Sequence, residues 1–160
     1  MDIQTGEHIH HPHHGIGKVE SIRKRSFCGR DEATYAEVYF ERDELTLTML
    51  KNDMPDTVRS LITTVEAKEL LQLIETWKGK PKKQWKARAD AHLATIEGGD
   101  PFQYAKAFTE LSRMAEDEEL RLRDRSNLQQ SRDLLIEELA RALKKTPLQA
   151  EKLIQKALDA

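Results

Sequence analysis

Six cations and one indole share the eleven residues from Lys78 to Arg88, Lys-Gly-Lys-Pro-Lys-Lys-Gln-Trp-Lys-Ala-Arg, with no acidic residue among them. Lysine and arginine neutralise phosphates and release condensed counterions, and an apolar ring can enter between or against unstacked bases. Those residue types at that spacing point to polyanion binding, with Trp85 where the charge is densest. The plainer alternative is a solvated linker whose tryptophan packs back onto a helix, the ordinary fate of charge runs and of tryptophans.

A second cluster gathers five of the six histidines, His8, His10, His11, His13 and His14. Imidazoles bind zinc or nickel well. Here the spacing is crowded, no cysteine or carboxylate cluster stands beside it, and on a strand His8 and His10 face one way while His11 faces the other. Structural or solvent-facing histidines are the simpler expectation, and no metal or cofactor is expected. Gly15-Ile16-Gly17 is too short for a nucleotide loop, with no Lys-Ser/Thr after it and no βαβ unit around it. Neither Gly-x-Ser-x-Gly nor His-Glu-x-x-His occurs, and nothing marks Cys28 as a nucleophile. The chain is not expected to be an enzyme.

The elements that must position these residues change character near residue 60. Before it, Gly and Pro punctuate a period of two. Strands are expected over Glu7–His11, Lys18–Ile22, Tyr35–Phe40 and Leu45–Met49, with Val19 and Ile22 flanking a polar break. Cys28-Gly29-Arg30-Asp31 and Glu41-Arg42-Asp43-Glu44 read as hairpin connections. Four or five such strands predict a small, strongly bent antiparallel barrel with an edge that a partner can extend.

From about residue 63 the period becomes 3.6. Thr63 and Glu66 form a capping box, and Leu70, Leu71, Ile74 and Trp77 line a first helix that stops at Gly79 and Pro81. A second helix is expected from Lys82 to Glu97, with Trp85, Ala89, His92, Leu93 and Ile96 on one stripe. Asp100 and Pro101 start a third, burying Tyr104, Phe108, Leu111 and Ala115. Glu116 to Arg125 reads as a solvated connection. A fourth helix turns Leu128, Leu135, Leu139 and Ala142 inward. A fifth starts at the Thr146–Gln149 box and presents Ala150, Leu153, Ile154 and Ala157. The expected fold class is α+β, with a sheet domain over 1–60 and a helical domain over 61–160 whose last four helices form a bundle.

With 38% hydrophobic and 34% charged residues over 160 positions, and a net charge of −2, the chain is neither disordered nor generally basic. Any nucleic-acid contact is a local patch. Residues 1–60 carry a net −3 and residues 61–160 a net +1, so the cations around Trp85 are offset elsewhere in the helical part. A single cysteine, no secretory leader and no apolar run near 18 residues lead to a cytoplasmic, membrane-free expectation. From the residues alone three readings stand. One is a nucleic-acid-contacting factor, one a protein–protein adaptor with Trp85 as hot spot, and one a helix-turn-helix repressor reading operators through residues 146–158, which offer Gln149, Lys152, Gln155 and Lys156 but no Arg.

Thr5-Gly6-Glu7 followed by Pro12-His13-His14-Gly15-Ile16-Gly17-Lys18-Val19 and Ile22 resembles the opening of the CarD/CdnL family of bacterial transcription regulators. Transcription-repair coupling factors share that module. The helical half is similar too, in Gln84-Trp85-Lys86-Ala87-Arg88, in Glu97-Gly98-Gly99-Asp100-Pro101, and in Ser131 to Leu139 leading into Leu153-Ile154. The ordered combination carries the resemblance, over nearly the whole chain.

The resemblance implies a Tudor-like barrel that docks on the β subunit of RNA polymerase by extending a sheet, with Arg25, Phe27, Leu47 and Thr48 as the polymerase-binding set. It also implies that Trp85 wedges into the minor groove at the upstream edge of the promoter bubble, with Arg88 on phosphate. Lys82, Lys83 and Lys86 lie within a turn of Trp85 and complete the expected DNA-binding set. The family commonly has basic residues where Thr48, Ala87 and Asp90 stand, and a proline-containing strand end where Met49-Leu50-Lys51 stands here. A monomer, nucleoid-associated through polymerase, is expected.

Overall fold

Period-two patterning resolves into five antiparallel strands in a computed structural model that describes residues 2–29, 31–56 and 58–160. They are β1 His8–His11, β2 Gly15–Arg25, β3 Ala33–Phe40, β4 Leu45–Leu50 and β5 Arg59–Ser60, in the sheet order β4-β3-β2-β1-β5. Val19 pairs with Val38 but Ser21 with Glu37, a bulge that makes Glu20 the extra residue. Strict alternation would turn Ile22 away from the face that buries Val19. The bulge restores it, pairing Ile22 with Ala36, and so explains the three-residue spacing. Ile3, Ile9, Val19, Ala36, Val38, Phe40 and Val58 close the core. At Gly17 a Cβ would stand 2.6 Å from Val38 Cγ1 and Phe40 Cε1, so the core packs against bare backbone there.

The bent sheet does not close into a complete barrel. β5 pairs only Ile9 and His10 of β1, and β4 ends the other side of the order. The Glu41–Glu44 connection is a turn with Glu44 at φ 49°; in the other, Cys28 and Gly29 are left-handed and Arg30 lies outside the described residues.

His8, His10, His11 and His14 pack into this sheet at least in part, and His13 is exposed. His10 is fully buried, and the rings of His11 and His14 sit 5.7 and 5.3 Å from that of Phe40. No group of three or more His, Cys, Asp or Glu among the described residues is placed to hold a metal. Burial, reinforced by His14 and His13, holds His11 down from 6.5 to about 4. The hydrogen bond of Asp43 with His14, at 2.7 Å, is the main cause lowering the Asp43 carboxyl. Unfolding lets His11 take up a proton that the native state refuses, so the sheet unit loses stability as pH falls from 6.5 towards about 4. Asp43 adds to the loss below its ordinary 3.8. Urea titrations read on β2 and β3 amide resonances should show this decline, and His11→Gln should flatten its upper part. A wild-type profile already flat across that interval would contradict the assignment.

The 3.6-residue period gives five helices: α1 Thr64–Thr76, α2 Trp85–Glu97, α3 Pro101–Asp117, α4 Leu122–Leu143 and α5 Pro147–Asp159. Both capping boxes form, at Thr63/Glu66 and Thr146/Gln149, and Asp100 caps α3 with Pro101 in its first turn. All five helices share one core, not only the last four. Leu70 and Ile74 of α1 lie in the same cluster as Ile96, Tyr104, Phe108, Leu135, Leu139 and Ile154. Ala115 is exposed because α3 outruns the bundle there. The charged connection is correspondingly short. α3 continues through Asp117 and α4 begins at Leu122, leaving Glu118 to Arg121 between them.

The chain divides into two compact units, Met1–Leu61 and Ile62–Ala160. No helix among the described residues is long and apolar enough to cross a membrane.

Candidate nucleic-acid interface

The N-terminus of α2 begins where Gln84 caps it, its Oε1 accepting from the Ala87 amide at 2.6 Å. Trp85 is therefore the first helical residue. It is 41% exposed, while Ala89, His92 and Ile96 of the same stripe are buried. The stripe is continuous along the helix, but its first member stands beyond the bundle that covers the others. Lys82, Lys83 and Lys86 are exposed around it, and their ammonium groups form no ion pair among the described residues. Lys83 shares a shallow hollow with the indole, together with Glu118, Glu119 and Arg121, while Lys82 and Lys86 are its exposed neighbours in sequence.

Arg88 is placed differently. It is 5% exposed and lies under the loop that carries Lys82 and Lys83. Its Nε donates to both Asp124 oxygens at 3.2 Å and its Nη2 to Oδ2 at 2.6 Å, while its Nη1 donates to the carbonyls of Lys82 (3.2 Å) and Lys83 (3.1 Å). The hydrogen bonds to Asp124 raise its pKa further, against the opposing effect of burial, so the guanidinium stays charged. With its donors so engaged, Arg88 has little left to offer a phosphate, and its evident role in the free protein is to fix the backbone that carries Lys82 and Lys83.

A second guanidinium holds the other end of that loop. Arg113 donates to the Trp77 carbonyl through Nη1 and to that of Ile74, at 3.5 Å, through Nη2. The Trp77 ring covers Gly79 so closely that a Cβ there would overlap it. Trp77 itself is half-buried, its Nε1 3.4 Å from Glu110 Oε2. Between loop and α3 runs a cleft of about 550 Å³ bordered by Lys78, Lys80, Lys82 and Lys83 on one side and Glu110, Asp117 and Glu118 on the other.

Asp124 escaped the sequence reading because it sits in an arginine-rich run that looks solvated. Asp124, Asn127 and Ser131 are three polar residues at helical spacing along α4, and the structure buries all of them. Asn127 donates to the Ala89 carbonyl at 3.2 Å and Ser131 to that of Asn127 at 2.8 Å. This polar stripe seats α2 on α4. One turn away Asp90 meets Arg123 at 2.6 Å. A cation is therefore present near position 90, but it comes from the neighbouring helix and is neutralised.

In the sheet unit, the register puts Arg25, Tyr35, Glu37 and Thr48 on the face opposite the core. Arg25 pairs with Glu37 at 2.6 Å. Phe27, 40% exposed, stands edge-on to Tyr35 with ring centroids 5.0 Å apart. Thr48 is exposed on β4, an end of the sheet order, whereas Leu47 packs against the core, leaving its main chain as what a partner strand could reach. Leu50, 38% exposed on the same outer face, was not singled out from the sequence.

The family model described as CarD, C-terminal domain, matches residues 69–155. The chain is also similar to the Bacillus subtilis (strain 168) protein named "Putative transcription factor YdeB", with 21% identity over 137 residues that cover 86% of this chain and 90% of that protein.

Proposed function

Because the chain belongs to the CarD family, we propose that it is a transcription regulator whose sheet unit docks on the β subunit of RNA polymerase while Trp85 wedges into promoter DNA. The observation that carries this reading is an exposed indole at a helix start, with Lys82, Lys83 and Lys86 exposed within three residues of it and free of ion pairs among the described residues. Three lysines at the surface supply phosphate neutralisation without base readout. The ring enters an unstacked step at the upstream bubble edge, in the minor groove, and opposes reannealing. Unstacking costs a few kcal/mol per step, so filling the gap prolongs the open complex. Preference among promoters then follows deformability, with flexible pyrimidine–purine steps opening at lower cost. Polymerase binding raises the effective concentration of the helical unit, so weak affinity for free DNA suffices.

On the sheet side, Arg25, Phe27 and Thr48 share an outward face and Thr48 lies on the open edge strand β4, which suits strand addition with flanking side-chain contacts. Leu47 supports that edge from the core.

Open-complex lifetime on a purified polymerase tests the whole. Trp85→Ala should shorten it by about tenfold, equivalent to roughly 1.4 kcal/mol, while co-purification with polymerase stays intact. Arg25→Glu should abolish co-purification. Since it also sets two carboxylates together at Glu37, Arg25→Gln separates lost contact from repulsion. Equal lifetimes with and without the indole on a bound polymerase would leave only a protein–protein adaptor.

A further inference from the structure

Arg121 was read from the sequence as one of several solvated cations. The structure sets its guanidinium over the face of Trp85, the carbon 5.0 Å from the ring centroid. Arg121 is the N-cap residue of α4, and its guanidinium, which only donates, plays no part in capping the helix amides. Its neighbours in the next turn reach the same stretch of α2: Asp124 grips Arg88 and Arg123 grips Asp90. The two helix starts are thereby held in register, and the buried Arg88–Asp124 pair fixes where Arg121 stands.

We propose that Arg121 is a positioning residue for the wedge: stacked on one face of the Trp85 indole, it holds the ring in one orientation and leaves the other face for an unstacked base. A first-turn indole without packing neighbours samples several rotamers, and each must be given up on insertion. A stacked guanidinium selects one beforehand. Arginine suits this better than lysine, because a planar, weakly hydrated cation lies flat on a ring and keeps N–H groups at its rim. Those rim donors then face the phosphodiester that flanks the opened step. The inference rests on the DNA reading given above, and concerns its geometry.

The molecule contains its own control. Lys106 lies over the other tryptophan, 4.7 Å from the Trp77 ring centroid, but that ring is half-buried and hydrogen-bonded to Glu110. In full-length protein carrying 5-fluorotryptophan, two ¹⁹F resonances are expected, with that of Trp85 identified by Trp85→Phe. Arg121→Gln should shift and sharpen the Trp85 resonance alone, Arg121→Lys should restore part of the shift, and Lys106→Gln should move only Trp77. An unmoved Trp85 resonance in Arg121→Gln overturns the stacking. On polymerase, Arg121→Gln should shorten the open complex by about two- to fivefold with partial rescue by lysine. If Trp85→Ala shortens it and Arg121→Gln does not, the positioning role is overturned while the wedge stands. If neither does, the wedge reading fails, and the fluorine shift still decides the stacking.

Discussion

Asp124→Ala should lower the unfolding free energy of the helical unit by about 3–5 kcal/mol, because it strands a charged guanidinium in the interior. Arg88 keeps its carbonyl contacts in that variant but loses the hydrogen bonds of Nε and Nη2 at a position only 5% exposed. Both tryptophans lie in the helical unit, so their fluorescence during urea unfolding reports this unit and not the sheet. The double change Arg88→Met with Asp124→Leu should recover much of the loss, since two packed apolar side chains bring no desolvated charge. It should not recover function. Without the guanidinium, nothing ties the Lys82 and Lys83 carbonyls to α2, and the lysines lose their fixed spacing from Trp85. A loss under about 1 kcal/mol for Asp124→Ala would mean that solvent reaches Arg88 and that the pair is an ordinary surface contact.

Glu138→Ala is expected to cost a comparable amount, about 2–5 kcal/mol, by a different route. Glu138 is fully buried on α4, and its two oxygens serve separate segments. Oε1 accepts from the Ile62 amide at 3.0 Å and Oε2 from the Tyr104 hydroxyl at 2.9 Å. Truncation removes the acceptor that the Ile62 amide and the Tyr104 hydroxyl share and opens a cavity in the bundle. Glu138→Gln retains the volume and one carbonyl acceptor, so it should fall between wild type and alanine. Equal stabilities for glutamine and alanine would show that the cost is charge and not hydrogen bonding. Because Ile62 opens the helical unit, amide exchange at that residue should speed up more than at α5 in the alanine variant.

The two changes touch what was hardest to read in the sequence. Helix starts were legible because capping is local: a Thr and a Glu three apart, or an Asp before a Pro, satisfy orphan amides whatever the rest of the chain does. The sheet was legible from alternation, except at Glu20, where alternation itself breaks. Buried polar residues were not legible. Arg88, Asp124 and Glu138 look like surface residues by type, and only the pairing of distant segments makes their burial tolerable. Trp85 and its lysines read as a group because they are contiguous, whereas Arg121 meets Trp85 only through the packing of α4 on α2. The same limit explains Leu47, whose alternation was seen but whose inward direction depends on register with Val38.

The loop between α1 and α2 is gripped by its main chain: Arg113 takes the Ile74 and Trp77 carbonyls and Arg88 those of Lys82 and Lys83. Peptide oxygens are the same whatever side chain they belong to. The path of this segment is therefore indifferent to the identity of residues 82 and 83, and mutation can add or remove positive charge there without bending the support beneath it. On the DNA reading proposed above, the strength of phosphate contact and the soundness of the support are, at this one place, inherited separately.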